Sequence, residues 1–119
     1  MSDRGSAVVE FALVVPLELV LVVCLVEVAL VARTQLEVVN SAREGAREAA
    51  ASPDPADAVR AARAVLGGSG GSARISVRRP DVVGERAEVK VMLPYRVAAP
   101  LFGGLAVEIV ARASMRVER

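Results

Sequence analysis

The chain has 119 residues, a hydrophobic content of 54% and a formal net charge of +1, which is enough for one folded domain. It has no histidine and one cysteine, Cys24, inside an apolar run, which excludes an intramolecular disulfide and gives no support for a zinc site or any cofactor. Beyond Ala32 lie 14 basic and 10 acidic residues, a net of 14 minus 10, or +4; this weak, interleaved charge and only three aromatic residues predict no binding to nucleic acid.

The first predicted element is an apolar helix. Residues 11–32 read FALVVPLELVLVVCLVEVALVA, and as a helix they would be roughly 33 Å long, close to the thickness of about 30 Å of a bilayer core. A buried helix of a soluble domain is disfavoured because the rest of the chain is too small to surround it. A cleavable secretory signal is disfavoured because its apolar region should span only about 7–15 residues. The segment predicts a transmembrane helix.

Three carboxylates interrupt this helix: Glu10, Glu18 and Glu27. At about 100° per residue, Glu18 lies about 80° from Glu10 and Glu27 about 180° from Glu18, so the three do not form one stripe. This argues against a proton relay. Pro16 removes one backbone N–H in the first turns and predicts a kink.

The junction before the helix, residues 4–11, reads RGSAVVEF. A short charged leader ends in Gly5, and Glu10 stands five places after that glycine. This arrangement resembles the processing site of type IV prepilins and pseudopilins, which a membrane-bound prepilin peptidase cleaves after the glycine. The resemblance implies cleavage between Gly5 and Ser6, with Glu10 as the fifth residue of the mature chain, followed by Phe11.

The spacing has a physical rationale. Gly5 lets the backbone enter a protease cleft in an extended form. Cleavage would expose an α-ammonium on Ser6, one helical turn from Glu10, whose carboxylate is costly in lipid without a cation. The resemblance implies that the ammonium of an adjacent subunit pairs with Glu10. The alternative is that Glu10 only extends to the headgroups at the interface.

Further similarity to a known family extends over residues 5–17, 26–28, 41–50 and 111–118. These stretches resemble the TadE-like family of pilus-assembly pseudopilins. Glu18 departs from the usual unbroken apolar run of that family. The resemblance implies three kinds of protein partner: a prepilin peptidase, other pilins or pseudopilins, and pilus assembly-platform proteins. The apolar helix implies the lipid bilayer as a further partner.

Past Ala32 the helix is predicted to continue to the region of Ser52. Its predicted apolar face alternates with charged residues such as Glu44 and Arg47. Gly45 in mid-helix predicts a close contact or a bend. The same periodicity suits either a packed helix or a solvated amphipathic helix, and both stay open. The predicted apolar face comprises Leu36, Val39, Ala42, Ala46, Ala49 and Ala50.

The remaining chain predicts a second helix and a sheet. Residues 52–55 (SPDP) end the first helix, and Asp54 caps a short helix over 56–66 whose apolar side is Ala58, Ala62, Val65 and Leu66. The glycine-serine run 67–72 predicts a flexible connector. Period-two alternation then predicts three antiparallel strands, joined by a hairpin loop at 80–84 and a longer loop at 94–104. Their apolar positions are Ile75 and Val77, then Ala87, Val89, Val91 and Leu93, then Val107, Ile109, Ala111, Ala113, Met115 and Val117.

These elements predict an α+β fold in which a long N-terminal transmembrane helix continues into an exterior domain with a short second helix and a three-stranded antiparallel sheet. The predicted organisation is a cytoplasmic leader (1–5), a membrane helix (6–32) and an extracytoplasmic domain (33–119). The N-terminus is expected in the cytoplasm. The resemblance implies a minor pilin or pseudopilin of a tight-adherence (Flp-type) pilus, and no enzyme is expected.

Two other functions remain open. One is an anchored exterior domain that binds a ligand or partner through the 94–105 loop and never enters a filament. The other is a membrane enzyme or a transporter accessory that uses Glu18 or Glu27, which the absence of histidine and the single helix disfavour.

Overall fold

The computed structural model describes residues 3–97 and 103–118 and has the predicted α+β arrangement. The molecule measures 81 × 23 × 17 Å because one long helix projects from a small domain. Its elements are α1 (Asp3–Ala51), α2 (Pro55–Leu66), a 3₁₀ helix (Gly67–Ser72), β1 (Arg74–Arg78), β2 (Arg86–Arg96) and β3 (Ala106–Arg116).

The sheet is an antiparallel meander in the order β1-β2-β3. Four inward residues of β2 are buried and alternate with exposed or half-buried ones, as the period-two pattern predicts; they are Ala87, Val89, Val91 and Leu93. Val107 and Met115, predicted to face the core, are instead exposed, because each lies near an end of β3, an edge strand. Both helices pack against one face of the sheet, since the core unites inward strand residues with small residues of α1 and α2.

The C-terminal half of α1 is a packed helix, which excludes the solvated alternative. Its buried positions are small, and an added side chain on Gly45 would place its Cβ 3.1 Å from both Ala62 Cβ and Val89 Cγ1. The predicted close contact is therefore confirmed. Leu36, assigned to the apolar face, is 65% exposed, and Val38 is buried in its place. The buried set is Val38, Ser41, Ala42, Gly45, Ala46, Ala49 and Ala50.

Helix α2 begins as predicted. The Asp54 side chain accepts a hydrogen bond from the Ala56 N–H at 2.9 Å, which satisfies a backbone donor of the first turn. Ala58, Ala62 and Leu66 are buried, but Val65 is 40% exposed and does not belong to the apolar side. The hydroxyl of the buried Ser41 donates to the carbonyl oxygen of Ala62 at 2.7 Å and fastens α1 to α2.

The glycine-serine run is more regular than a flexible connector. It forms the 3₁₀ helix, and Gly70 within it is buried. A Cβ on Gly70 would lie 2.8 Å from the carbonyl oxygen of Arg63, so no larger residue fits without a shift. The guanidinium of Arg63 donates to the carbonyl oxygen of Gly70 at 2.6 Å, which holds the run against α2.

The end of α1 is capped by the rest of the domain. The last carbonyls of a helix lack partners within the helix. Here the Ser52 N–H donates to the Glu48 carbonyl at 2.8 Å, the Arg79 guanidinium to the Ala49 carbonyl at 2.8 Å, and the Glu118 N–H to the Ala50 carbonyl at 3.1 Å. The hairpin loop and the C-terminus are thus both fastened to the end of the long helix.

The predicted loop after β2 starts too early. Pro94 lies within β2, opposite Glu108 of β3. Strand β1 pairs with β2 only as far as Met92, so β2 is a sheet edge on that side at Pro94, where a missing N–H is tolerated. The ladder closes with a 3.0 Å hydrogen bond from the Val97 N–H to the Leu105 carbonyl, and residues 98–102 of the predicted loop lie outside the described residues.

Candidate functional site

The N-terminal half of α1, residues 3–26, projects from the domain with its apolar side chains uncovered; we call it the projecting segment. Phe11 is 70% exposed, Leu13 72% and Leu17 70%. A water-soluble surface rarely carries a continuous apolar patch of this size. The segment therefore requires a cover, either lipid or other protein.

One helix of the described chain, α1, is long and apolar enough to cross a membrane, and none of its most apolar 18-residue window is buried. The projecting segment alone would extend about 36 Å at 1.5 Å per residue, against a hydrocarbon thickness of about 30 Å. Length and composition therefore both fit a single membrane crossing.

Gly5 and Ser6, the predicted processing residues, lie in the first turns of α1 and are exposed. Because α1 is continuous from there, Ser6 and Glu10 are four residues apart on one face of the helix. The helix thus places the residue that would carry the new α-ammonium one turn from the carboxylate.

Glu10 and Phe11, the predicted pairing residues, are both exposed on the projecting segment. Within residues 3–97 and 103–118, neither Glu10 nor Glu18 takes part in a recorded hydrogen bond or ion pair. Phe11 likewise contacts none of the described core residues. All three side chains are therefore available for contacts with lipid or with another protein.

Pro16 lies inside α1, and the helix continues on both sides of it. Because proline has no N–H, one intrahelical hydrogen bond is missing at this position. The kink at Pro16 stays a prediction.

A contact that the sequence did not predict joins the helix to the sheet. Glu27 is only 9% exposed, and the hydroxyl of Tyr95 donates to its Oε1 at 3.2 Å. Tyr95 is the last inward residue of β2, so the sheet reaches along α1 as far as Glu27. The sequence feature that could have indicated this contact is the position of Tyr95, an amphipathic side chain at the end of a period-two strand.

This contact changes the acidity of the phenol. Burial, then the hydrogen bond to Glu27 and the negative charge of Glu27, raise the pKa of Tyr95 above its ordinary value of 10.0. The phenol therefore stays protonated and remains a donor to the carboxylate across the physiological pH range.

Glu27 and Glu18 lie on opposite sides of α1, since nine residues correspond to about 180°. Glu27 faces the sheet, and the exposed Glu18 points away from it. Beside Glu27 lies a shallow apolar groove of about 220 Å³ lined by Cys24, Glu27, Val28, Val97 and Leu105. The groove marks the place where the projecting segment leaves the domain.

Residues 5–47 match the model of the family described as TadE-like protein. The match begins at Gly5 and covers the whole projecting segment from there, together with most of the packed half of α1. The predicted resemblance is confirmed for this part of the chain. No curated protein and no solved structure matches the chain.

Proposed function

We propose that this chain, TadE-like over residues 5–47, is a minor pilin or pseudopilin that takes part in assembly of a tight-adherence (Flp-type) pilus and has no catalytic activity of its own. The TadE-like match implies a role in assembly of such a pilus. The observation that carries the finer proposal is the projecting segment, an exposed apolar helix that begins with the Gly5–Ser6 junction and Glu10. Such a helix can be held by lipid before assembly and by neighbouring helices afterwards.

The proposed topology is a single crossing with the N-terminus in the cytoplasm. Residues 1–5 are the leader, 6–32 the membrane helix and 33–119 the extracytoplasmic domain. Residues 6–26 would lie in the hydrocarbon, because their apolar side chains have no cover in the fold. Glu27 and the turn after it would lie at the outer interface, where Tyr95 supplies a polar partner and an amphipathic ring suited to that depth.

A prepilin peptidase is the proposed processing enzyme. The Gly5–Ser6 bond lies within the helix, so the first turns must unwind before this bond can enter a protease cleft. Glycine disfavours a helix by about 1 kcal/mol relative to alanine, and the first turn of a helix frays readily. Gly5 thereby lowers the cost of opening at this bond.

The cleaved end would carry the α-ammonium of Ser6 near Glu10. Within one chain the two groups are one turn apart, and between staggered neighbours the ammonium of one subunit reaches the Glu10 of the next. The intermolecular pair is favoured in a filament because Phe11 and the adjacent apolar side chains need cover from the same neighbour. The pair sets alignment more than it adds net stability, since both charges must be desolvated.

The test is N-terminal mass spectrometry of the native protein together with a count of pili. Ser6 should be the first residue. Replacement of Gly5 by Val should leave the leader attached and reduce piliation, because a β-branched side chain blocks the protease cleft. Asp3→Asn in the same leader is the matched control and should be cleaved normally.

An intact Met1 in a fully piliated strain contradicts the proposal and favours the anchored binding domain. Loss of a transport or catalytic activity in Glu18→Gln or Glu27→Gln, with piliation unchanged, favours the membrane-accessory function instead.

A further inference from the structure

The outer face of the sheet, away from both helices, carries a concentration of positive charge. The outward positions of β1, β2 and β3 are exposed, except that Lys90 and Met92 are half-buried, and the core lies on the other face. Glu88 is the one acid among the outward residues 74–78, 86–92 and 110–116 of the described strands. We call this surface the basic face; its cations are Arg74, Arg78, Arg86, Lys90, Arg112 and Arg116.

The strand register sets like charges opposite each other on this face. Lys90 of β2 is paired with Arg112 of β3, and Arg86 is paired with Arg116. Like charges directly opposite each other in a sheet are destabilising. The opposite-charge neighbours are Arg78 and Glu88, and across the described residues none of the six cations forms a recorded ion pair.

The local excess is much larger than the charge of the chain. Six cations and one acid give the basic face 6 minus 1, or +5, whereas the whole chain carries +1. Glu85 of the hairpin loop lines one pocket with Arg78, Arg86 and Glu88, so with Glu85 included the net charge is 6 minus 2, or +4. At the C-terminal end of β2, the charges of the outward residues Arg96 and Glu108 cancel each other.

A second copy of the chain does not supply a matching surface. Of the acids outside the basic face, Glu10 and Glu18 lie within the segment assigned to the hydrocarbon, and Glu27 already accepts a hydrogen bond from Tyr95 at the outer interface. On the domain, Glu37, Glu44 and Asp57 already pair with Arg33, Arg47 and Arg60 of their own helices. The domain acids that remain outside the face and its rim are Glu48, Asp54 and Glu118. Three carboxylates do not match six cations, which favours another molecule as the partner of the basic face.

Position argues against lipid headgroups as that molecule. Strand β2 runs back along α1 from the Ala50 end toward Glu27, so its outer face looks sideways from the long helix. Lys90 is five residues from Tyr95, about 17 Å along the strand, and Arg86 is about 30 Å away. Both distances exceed the Debye length of about 8 Å at physiological ionic strength.

The composition of the face favours protein over nucleic acid. Met92 and Val110 are paired across β2 and β3 next to Lys90 and Arg112, and Val110 is 40% exposed. Methionine and arginine are enriched in protein–protein interfaces, where an apolar contact lies among polar ones. The described part of this face has no aromatic side chain on which a base could stack.

We propose that the basic face docks a partner protein whose surface combines clustered carboxylates with a small apolar contact for Met92 and Val110. The repulsion between Lys90 and Arg112 and between Arg86 and Arg116 is then relieved only in the complex. This proposal does not depend on processing at Gly5, so either can fail without the other.

The experiment uses the full chain in nanodiscs of zwitterionic phosphatidylcholine. Two fluorescent peptides serve as probes: one of ten glutamates, and one with the same number of glutamates and a central leucine. Anisotropy should show binding of both, with the leucine peptide tighter. The double variant Lys90→Thr/Arg112→Thr should weaken binding by about tenfold or more, and its unfolding midpoint should rise because a repulsive pair has been removed.

Arg33→Gln/Arg43→Gln is the matched control, because it removes the same charge from the exposed side of α1. It should leave peptide binding within about twofold of the unaltered chain. Met92→Ser should abolish the advantage of the leucine peptide.

Equal losses in the two double variants, or no advantage for leucine, overturn the proposal. Two further measurements test other partners. Tighter binding of a DNA duplex than of either peptide would assign the face to nucleic acid. Recruitment to phosphatidylglycerol vesicles that Lys90→Thr/Arg112→Thr abolishes would assign it to the bilayer.

Discussion

The hydroxyl of Tyr95 lies 3.2 Å from Oε1 of Glu27 and donates a hydrogen bond to it, joining the last inward residue of β2 to a carboxylate in the apolar run of α1. The two residues are 68 positions apart in the chain. The contact fixes how far down the helix the sheet extends and gives a costly carboxylate a polar neighbour.

Tyr95→Phe tests the value of this contact. Loss of a donor to a carboxylate that is 9% exposed should lower the free energy of unfolding of the domain. Glu27→Gln should cost less, because a glutamine oxygen still accepts the bond. Urea unfolding in detergent, followed by circular dichroism, measures both. Equal stability of Tyr95→Phe and the unaltered chain would contradict the assignment.

The raised pKa of Tyr95 predicts a dependence on alkaline pH. The phenolate is disfavoured in the folded state, first by burial and then by Glu27. Stability due to this group should therefore be constant below the unfolded pKa of about 10 and fall as the pH rises above it. Because Tyr95 is the only tyrosine and tryptophan is absent, absorbance at the phenolate band reports this one group. Titration at or below the ordinary value would refute the contact.

Gly45→Ala sets two effects against each other. The substitution gains about 1 kcal/mol of helix propensity. It also places a methyl group 3.1 Å from Ala62 Cβ and Val89 Cγ1, and overpacking costs typically 1–3 kcal/mol. We expect a net loss of about 1 kcal/mol, because both neighbours are fixed in packed elements. Asn40→Ala, at an exposed position of the same helix, should instead be neutral or slightly stabilising. Thermal unfolding measures the stability of both variants. A higher stability of Gly45→Ala than of the unaltered chain would show that α2 shifts to accommodate the added methyl group.

Arg79→Ala removes the cap on the Ala49 carbonyl at the end of α1. A hydrogen bond from a charged donor contributes about 1.5–3 kcal/mol, so a loss of about 2 kcal/mol is expected. Its neighbour Arg78 lies on the exposed outer side of β1, and Arg78→Ala should cost less than about 1 kcal/mol. Chemical unfolding of the two variants measures the free energy of unfolding that each arginine contributes. Similar losses in Arg79→Ala and Arg78→Ala would contradict the capping role of Arg79.

Glu18→Leu tests the placement of the projecting segment in lipid. Glu18 is exposed near the middle of residues 6–32 and has no recorded partner among the described residues. Its replacement should improve the apparent insertion free energy by about 2.5–3.5 kcal/mol in a translocon assay of this segment. Glu10→Leu, near the end of the segment, should give a smaller change. An equal change in insertion free energy at both positions would contradict the placement of Glu18 nearer the bilayer centre than Glu10.

Local patterns predicted most of the fold, because each element carries its own signal. The period-two runs predicted the strands, Asp54 predicted the start of α2, and Gly45 predicted a close contact or a bend, of which the structure shows the close contact. The sequence misassigned Leu36 and Val65, since helical spacing alone leaves the centre of the buried face uncertain by one position. Burial of Val38 in place of Leu36 is decided by where α2 and the sheet lie.

Two features, the buried Glu27 and the basic face, could not be predicted from the sequence because both depend on the tertiary structure. The burial of Glu27 depends on how far β2 reaches along α1. The basic face depends on strand register, because Lys90 and Arg112 are 22 positions apart and become neighbours only in the sheet. Averaging charge over residues 33–119 gave a weak +4 and hid this segregation. Processing at Gly5 and pairing at Glu10 stay predictions.

Helix α1 passes from the projecting segment into the core without a loop or a hinge between Pro16 and Ala51. A push, pull or rotation applied to α1 between Pro16 and Glu27 is therefore transmitted directly to the sheet, because the packed half of the same helix is part of the core. In a subunit lifted out of a bilayer, the basic face would keep its orientation relative to this part of α1. The orientation of a partner docked on that face would therefore follow the rotation of the helix.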